Sequence, residues 1–111
     1  MATQRRRNRD SEAAAVGDEP MSVAISEVAA RQRVCICGKV TRMTARPTSG
    51  QPALAVSITD DTGSVTAVWT GRRSIGGVTL GRRIAIEGVA GLHGAHLEFT
   101  NPNYTLLPRH V

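Results

Sequence analysis

Residues 54–69, LAVSITDDTGSVTAVW, contain the clearest structural signal in the chain. Apolar side chains occupy every second position on each side of the centre of this stretch: Leu54, Val56 and Ile58, then Val65, Ala67 and Trp69. This spacing is typical of strands that bury one face. The central Asp-Asp-Thr-Gly supplies residues that tight turns favour, so the stretch predicts a β-hairpin with one side in a core.

Three further segments alternate in a similar way. The first strand is predicted over residues 33–45, the fourth over residues 82–89 and the fifth over residues 96–100. Gly38 interrupts the first strand, where we expect a β-bulge or a sharp bend. With the hairpin as the second and third strands, the sequence predicts five strands.

The connections are polar or rich in glycine. Residues 46–52 have the composition of a loop, and residues 70–81 leave no room for a long helix. Residues 22–33 mix helical and turn signals, with Ser26 as an N-cap, and predict one or two turns of helix. Residues 101–108 are expected to close the chain as a short extended piece.

This order of elements predicts an all-β fold. We expect a five-stranded antiparallel barrel of the Greek-key type known as the OB fold, preceded by a short N-terminal helix. A β-sandwich would need about seven strands at this pattern. The side chains expected to face inward are Val34, Ile36, Val56, Ile58, Ile84, Ile86 and Leu97.

Charge divides the chain into two parts. Residues 1–21 hold four basic and four acidic side chains and no aromatic one, so we expect a disordered tail. Residues 22–111 hold ten basic and five acidic side chains, so the net charge of +5 belongs to the predicted domain. A basic domain attracts phosphate-rich polymers. The alternative is that these arginines only keep the surface solvated.

The main candidate binding residues are cations. In an OB fold, the second and third strands and the loops that join strands one to two and four to five form the usual groove. Arginine suits phosphate because its planar guanidinium donates two hydrogen bonds at once. The cations predicted on or beside the groove are Lys39, Arg42, Arg46, Arg72 and Arg73, whereas Arg82 and Arg83 are expected further away.

Aromatic side chains are scarce, so stacking can support only one or two bases. Trp69 and Tyr104 are the candidates. Trp69 shares a face with Val65, so a core or rim position competes with a stacking role, and Tyr104 is expected to be half exposed. Phe99 is expected in the core. We therefore predict weak, salt-sensitive binding dominated by phosphate contacts.

No metal, cofactor or catalytic site is predicted. Cys35 and Cys37 point the same way on one strand, with Cα atoms ~7 Å apart, at or past the limit for a disulfide. A zinc site drawn from them and the histidines matches no standard spacing. Asp60 and Asp61 are interpreted as turn residues that bond to their own backbone. The sequence offers no Ser/His/Asp arrangement, so we expect no enzyme.

Four segments carry a resemblance to a known family: RVCICGKVTRMTARP, LAVSITDDTGSVTAVWTG, LGRRIAIEGVAG and LEFTNPNYTLL. In this order they resemble the wedge domain of RecG-type branch-migration helicases, and small stand-alone bacterial OB-fold proteins, over residues 25–108. The resemblance implies nucleic-acid binding by one barrel face and its loops. It does not extend to a motor, since neither GxxxxGKS nor GxxxxGKT occurs in the sequence.

The sequence therefore predicts a non-catalytic OB-fold domain over residues 22–111 that binds single-stranded or branched DNA, with RNA ranked below DNA. The second hypothesis is a module that docks a protein partner of a repair or replication assembly. No apolar run approaches the ~20 residues of a membrane helix. Since no secretory signal is found either, a cytoplasmic location is expected.

Overall fold

This computed structural model describes residues 21–46 and 50–108, which form seven β-strands, one turn of 3-10 helix and the segments that connect them. Of the tail predicted over residues 1–21, residues 1–20 lie outside the described residues. The elements are β1 (Met21–Ser22), the 3-10 turn (Ile25–Glu27), β2 (Arg33–Ala45), β3 (Ala53–Thr59), β4 (Ser64–Thr70), β5 (Arg83–His93), β6 (His96–Thr100) and β7 (Asn103–Leu106). The all-β prediction is confirmed. None of the described helices has the length and apolarity needed to cross a membrane.

Five of the strands form a ring of pairings. The order β2-β3-β4-β6-β5 returns to β2, because β2 pairs with β3 and also with β5. All these pairs are antiparallel except β4 with β6, which run parallel. The expectation of a wholly antiparallel arrangement is therefore wrong. One pair must run parallel because strand directions cannot alternate all the way round a ring with an odd number of strands.

Strand β2 changes partner in its middle. Residues 33–39 pair with β5 and residues 39–45 pair with β3, so Lys39 lies opposite both Arg83 and Thr59. Gly38 allows the strands to approach at this corner: a Cβ atom there would lie 2.7 Å from the carbonyl oxygen of Thr59. The β-bulge expected at Gly38 is found instead between Val40 and Arg42.

The core fills the inside of this ring. Of the side chains predicted to face inward, all but one are 0–2 % exposed: Val34, Ile36, Val56, Ile58, Ile84 and Ile86. Leu97 is only partly buried against them. Ile75 and Val78, from the connection between β4 and β5, also join the core. That connection contains no helix, as the sequence predicted.

Two strands were not predicted from the sequence. β1 pairs in parallel with β2 at Val34 and Cys35, so Met21, which the sequence analysis assigned to the tail, lies in a strand. β7 pairs with β5 and coincides with the segment expected to be extended. In addition, β5 continues to His93, beyond its predicted end.

The predicted N-terminal helix is wrong, since the structure forms a single 3-10 turn there. Ala24, and not Ser26, precedes the turn, and its side chain makes no capping bond. The backbone N–H groups at the start of the turn donate instead to side chains of the β3–β4 hairpin. Asp60 Oδ2 accepts from the N–H of Ile25 at 3.0 Å, and Thr62 Oγ1 accepts from the N–H of Ser26 at 3.0 Å.

Asp60 is the acceptor that joins the hairpin to this turn. Its other oxygen, Oδ1, accepts from the hydroxyl and N–H of Thr62, at 2.6 and 2.7 Å, and from the N–H of Gly63 at 3.1 Å. The bond from the Thr62 hydroxyl, followed by that from the N–H of Ile25, lowers the pKa of Asp60 from 3.8 to about 2. The turn role predicted for Asp60 is confirmed.

We expect Gly38→Ala to destabilise the fold. The added methyl group would meet backbone at 2.7 Å, and such overpacking costs about 2 kcal/mol, or roughly 10 °C in melting temperature for a domain of this size. Thermal unfolding followed by circular dichroism measures the change. Gly91→Ala is the matched control, because Gly91 also lies in a strand and has nothing within 4 Å of its Cβ position. Equal melting temperatures for the two variants would contradict this account of the corner.

The second prediction concerns acid stability. Because the pKa of Asp60 is depressed in the folded chain, its ionised form stabilises the fold above about pH 4, and that contribution disappears as the pH falls towards 2. Asp60→Asn should melt below the parent protein at pH 6, and the two melting temperatures should converge near pH 2. The control is Asp61→Asn at the exposed neighbouring position. A gap between parent and Asp60→Asn that stays constant with pH would contradict the assignment.

Candidate nucleic-acid interface

The side of β3 and β4 that points away from the core is called here the outer face. It consists of Ala53, Ala55, Ser57 and Thr59 from β3 and Ser64, Thr66, Val68 and Thr70 from β4. At one end of this face Ala53, Ala55 and Val68 form an apolar cluster of their own, 2–9 % exposed and separate from the main core. The outer face therefore combines a closely packed apolar patch with hydroxyl groups that are half-buried or exposed.

The β-bulge in β2 aims Arg42 outward. Val40 lies in the core and Met43 packs against it, so the residues between them, Thr41 and Arg42, are both exposed. Strict alternation would have placed Arg42 on the same side as Val40. The extra residue in β2 corrects this, and Arg42 then lies opposite Ser57, beside the outer face.

A row of hydroxyl groups crosses from β2 to β4 next to Arg42. Thr41 Oγ1 lies 3.1 Å from Thr59 Oγ1, which lies 3.1 Å from Ser64 Oγ. Hydroxyls donate as well as accept, so such a row can bond to phosphate oxygens. This row was not predicted from the sequence.

Arg46 is held by a carboxylate. Its Nη2 donates to Glu98 Oε2 at 2.7 Å and its Nη1 donates to Glu98 Oε1 at 3.2 Å, a bidentate contact. Glu98 lies in β6, and β3 and β4 lie between β2 and β6 in the sheet, so the pair reaches across the outer face. The side chain of Glu98 is 12 % exposed and that of Arg46 is 35 % exposed.

Both partners titrate accordingly. The hydrogen bonds from Arg46 lower the pKa of Glu98, although its partial burial opposes the shift. The same bonds raise the pKa of Arg46. His93 Nδ1 lies 4.0 Å from Glu98 Oε1 and lowers the pKa of the Glu98 carboxyl group further. Glu98 is therefore ionised at neutral pH.

Arg72 and Arg73 lie at the same end of the outer face as Arg46. They follow β4 and are exposed. The N–H of Gly71 donates to the carbonyl oxygen of Pro52 at 2.8 Å, and that of Arg46 donates to Ala53 at 2.8 Å. These bonds join the start of the β4–β5 connection to the two ends of the β2–β3 connection. The structure thus brings three of the predicted cations to one end.

Lys39 lies at the opposite end. With Arg83 it lines a cleft of about 400 Å³ beside the β3–β4 hairpin, where Asp60 and Asp61 also contribute. At ~3.3 Å per residue, Lys39 and Arg46 are roughly 20 Å apart along β2. The predicted cations are therefore spread along the border of the outer face and do not form one cluster.

The predicted aromatic contacts do not lie on the outer face. Trp69 is 5 % exposed in the core, and its Nε1 donates to the carbonyl oxygen of Pro102 at 3.1 Å. Tyr104 is half-buried in β7, where its hydroxyl donates to Gly76 at 3.0 Å and its ring meets Trp69 edge to face. Assigning base stacking to Trp69 conflicts with this burial, because its ring faces are covered by protein. Phe99 is buried in the core, as predicted.

The two cysteines lie away from the outer face, on the half of β2 that pairs with β5. Cys35 is half-buried and Cys37 is exposed, and both thiols are free. Burial, followed by the charges of Cys37 and Glu87, raises the pKa of Cys35. Within residues 21–46 and 50–108, no group of three or more His, Cys, Asp or Glu side chains is placed to hold a metal ion.

Besides the hydroxyl row, sequence reasoning missed two features of the site. The β-bulge had a signal: Val40 and Met43 both point inward but are three residues apart, which breaks the period of two. Glu98 had no local signal as the partner of Arg46, because the two residues are 52 positions apart in the sequence.

Solved OB domains have a similar structure. The OB domain of Ta0387 from Thermoplasma acidophilum matches with a TM-score of 0.64 at 15 % identity, over 81 % of this chain and 90 % of that one. A domain of replication protein A from Methanococcus maripaludis matches with a TM-score of 0.66 at 21 % identity, over 78 % and 96 %. RecG bound to a three-way DNA junction matches with a TM-score of 0.65 at 13 % identity, over 80 % of this chain and 13 % of RecG.

These similarities establish the fold. Neither the models of known protein families nor the curated protein sequences match this chain. The ring of strands and its likeness to solved OB domains show that the chain has the OB fold, which confirms the resemblance noted in the sequence.

We expect Trp69, the single tryptophan of the chain, to report a buried environment. Its fluorescence should be blue-shifted and poorly quenched by iodide in the folded protein, and it should change little when an oligonucleotide is added. Trp69→Phe should cost about 1 kcal/mol through the lost bond to Pro102. Strong quenching of the native emission by iodide or by oligonucleotide would show that the indole is open to the surface.

Proposed function

We propose that this chain binds nucleic acid, without catalysis, along the border of its outer face. The proposed ligand is single-stranded or branched DNA, with RNA ranked below it. We take the ring of five paired strands to be the closed barrel expected from the sequence. The observation that carries it is the outward aim of Arg42, since the β-bulge places a cation where alternation would have buried it.

The distribution of charge supports a phosphate ligand. Lys39, Arg42, Arg72 and Arg73 are all exposed at the border of the outer face. Within residues 21–46 and 50–108, the ion pairs of Lys and Arg are Arg33 with Glu87 and Arg46 with Glu98. The four exposed cations therefore have no carboxylate partner among the described residues, so a strand can contact them without displacing a carboxylate of that part of the chain.

Binding of this kind depends on phosphates more than on bases. Base stacking contributes roughly 1–3 kcal/mol per base in proteins that hold single strands, but it requires exposed rings. Trp69 and Phe99 are buried, and Tyr104 lies in β7, outside the outer face. Binding should therefore be weak, tolerant of sequence and sensitive to salt.

A protein-docking module is the second candidate. It is favoured by exposed apolar side chains on β5, where Leu92 is 71 % and Val89 is 50 % exposed. Stn1 and Ten1 of yeast provide a structural match in which two proteins occur together, with a TM-score of 0.56 at 13 % identity. This candidate requires no phosphate contacts, so the two are separated by their dependence on salt.

The slope of log K against log salt on a single-stranded oligonucleotide tests the proposal. Each phosphate contact contributes roughly −0.7, so four contacts predict a slope near −2.8. Arg42→Ala and Arg72→Ala should each make the slope shallower by about 0.7, and the double variant by about 1.4. Stability should hold within ±0.5 kcal/mol, because both side chains are exposed. Fluorescence anisotropy of a labelled strand measures the affinities.

Arg33→Ala is the matched control. It removes the same charge from the half of β2 that pairs with β5, so the slope should not change. If Arg33→Ala and Arg42→Ala make the slope shallower by the same amount, then the outer face is not the binding site. If the parent shows no salt-dependent binding of single-stranded, forked or duplex DNA, the nucleic-acid proposal is wrong and protein docking takes its place.

A further inference from the structure

The bidentate pair of Arg46 and Glu98 lies over the face proposed to bind nucleic acid, and the inference drawn from it rests on that proposed function. Arg46 was predicted to contact phosphate, yet in the structure both of its terminal nitrogens already donate to a carboxylate, at 2.7 and 3.2 Å. A phosphate that accepts from these same two N–H groups would have to replace the carboxylate of Glu98.

The carboxylate of Glu98 is unlike the other acidic groups of the described domain. Asp60 is used up by the backbone of the 3-10 turn, and Glu87 pairs with Arg33 on the far half of β2. Glu98 projects from β6 beside the outer face, at a position only 12 % exposed, and it is bonded to one of the predicted cations. There it opposes a polyanion by its charge, and it occupies the guanidinium that would attract one.

The protein itself provides an anchor for this competition. Glu98 is tethered, so it meets Arg46 at a high effective concentration, which a free phosphate at low concentration cannot match. A phosphate that belongs to a strand already held by Arg42 and Arg72 is tethered as well. A phosphate can therefore compete with Glu98 for the Arg46 guanidinium only when its ligand carries several phosphates in a row.

We propose that Glu98 is a built-in competitor for Arg46, a specificity-determining residue that yields the guanidinium only to a polyphosphate strand. Before binding, Arg46 bonds to Glu98; in the complex, the same two N–H groups donate to a phosphate of the strand. The pair selects against mononucleotides and inorganic phosphate and lowers affinity for all nucleic acids.

Two variants that break the same ion pair separate this role from a structural one. Glu98→Gln keeps the shape and should make the salt slope on single-stranded DNA steeper by about 0.7, because in the parent the carboxylate that Arg46 releases takes up a cation and offsets the one set free by the phosphate contact. Relative to 1 M salt, one such contact multiplies affinity at 50 mM by about eightfold. Arg46→Ala should change affinity in the opposite direction, because it removes the cation and leaves the carboxylate exposed to the strand.

The controls isolate the competition. Glu87→Gln removes the same charge from another ion pair and should leave the slope unchanged. In the Arg46→Ala background, Glu98→Gln should no longer steepen the slope, since no guanidinium is left to free. Melting temperatures of Arg46→Ala and Glu98→Gln should fall together, because both break one contact. Inorganic phosphate should compete for DNA more effectively with Glu98→Gln than with the parent.

The outcomes distinguish the two proposals. If the parent binds DNA with a salt-dependent slope but Glu98→Gln weakens binding as Arg46→Ala does, then the pair only maintains the fold of the face, and the competitor role is wrong. If Glu98→Gln and Glu87→Gln steepen the slope equally, then overall charge explains the effect and the role is again wrong. If neither the parent nor Glu98→Gln binds DNA at 50 mM salt, then the proposed function itself fails.

Discussion

The close approach of β2 to β3 at Gly38 lets one strand pair with two partners and so closes the ring. One strand serves two partners, and it can do so only where the backbones come within van der Waals distance at the change of partner. A side chain at this position would meet the carbonyl of Thr59. The β-bulge that follows then turns the second half of β2 along the outer face, so the same corner that closes the ring also sets the aim of Arg42.

An odd ring has a consequence for chemistry. Because five strands cannot alternate in direction throughout, one pair must be parallel, and the chain places that pair at β4 and β6. A parallel pair cannot be joined by a short hairpin, so β6 arrives through β5 and the connection before it. This detour brings Glu98 opposite Thr66, on the edge of the outer face, within reach of Arg46. The topology thus determines which carboxylate meets which guanidinium.

The outer face carries both open cations, which attract phosphate, and a cation that a carboxylate already binds. Small side chains pack closely at one end of this face. The cations along its border differ in whether they are already paired with a carboxylate. Arg42 is open to solvent, whereas Arg46 is engaged by an ionised carboxyl group. A bidentate contact of this kind is stronger than a single hydrogen bond, so a ligand must provide more than one isolated charge to replace it.

The all-β class, the five central strands, the hairpin turn and most of the inward-facing side chains could be predicted from the sequence. These features depend on alternation and turn chemistry among residues that are neighbours in the chain. The burial of Trp69, the bond from Asp60 to the 3-10 turn and the ion pair of Arg46 with Glu98 could not be predicted in this way. Each of these contacts joins residues more than thirty positions apart, and their meeting depends on how the ring closes. Local pattern specifies which face a side chain takes, whereas ring closure specifies what that side chain meets.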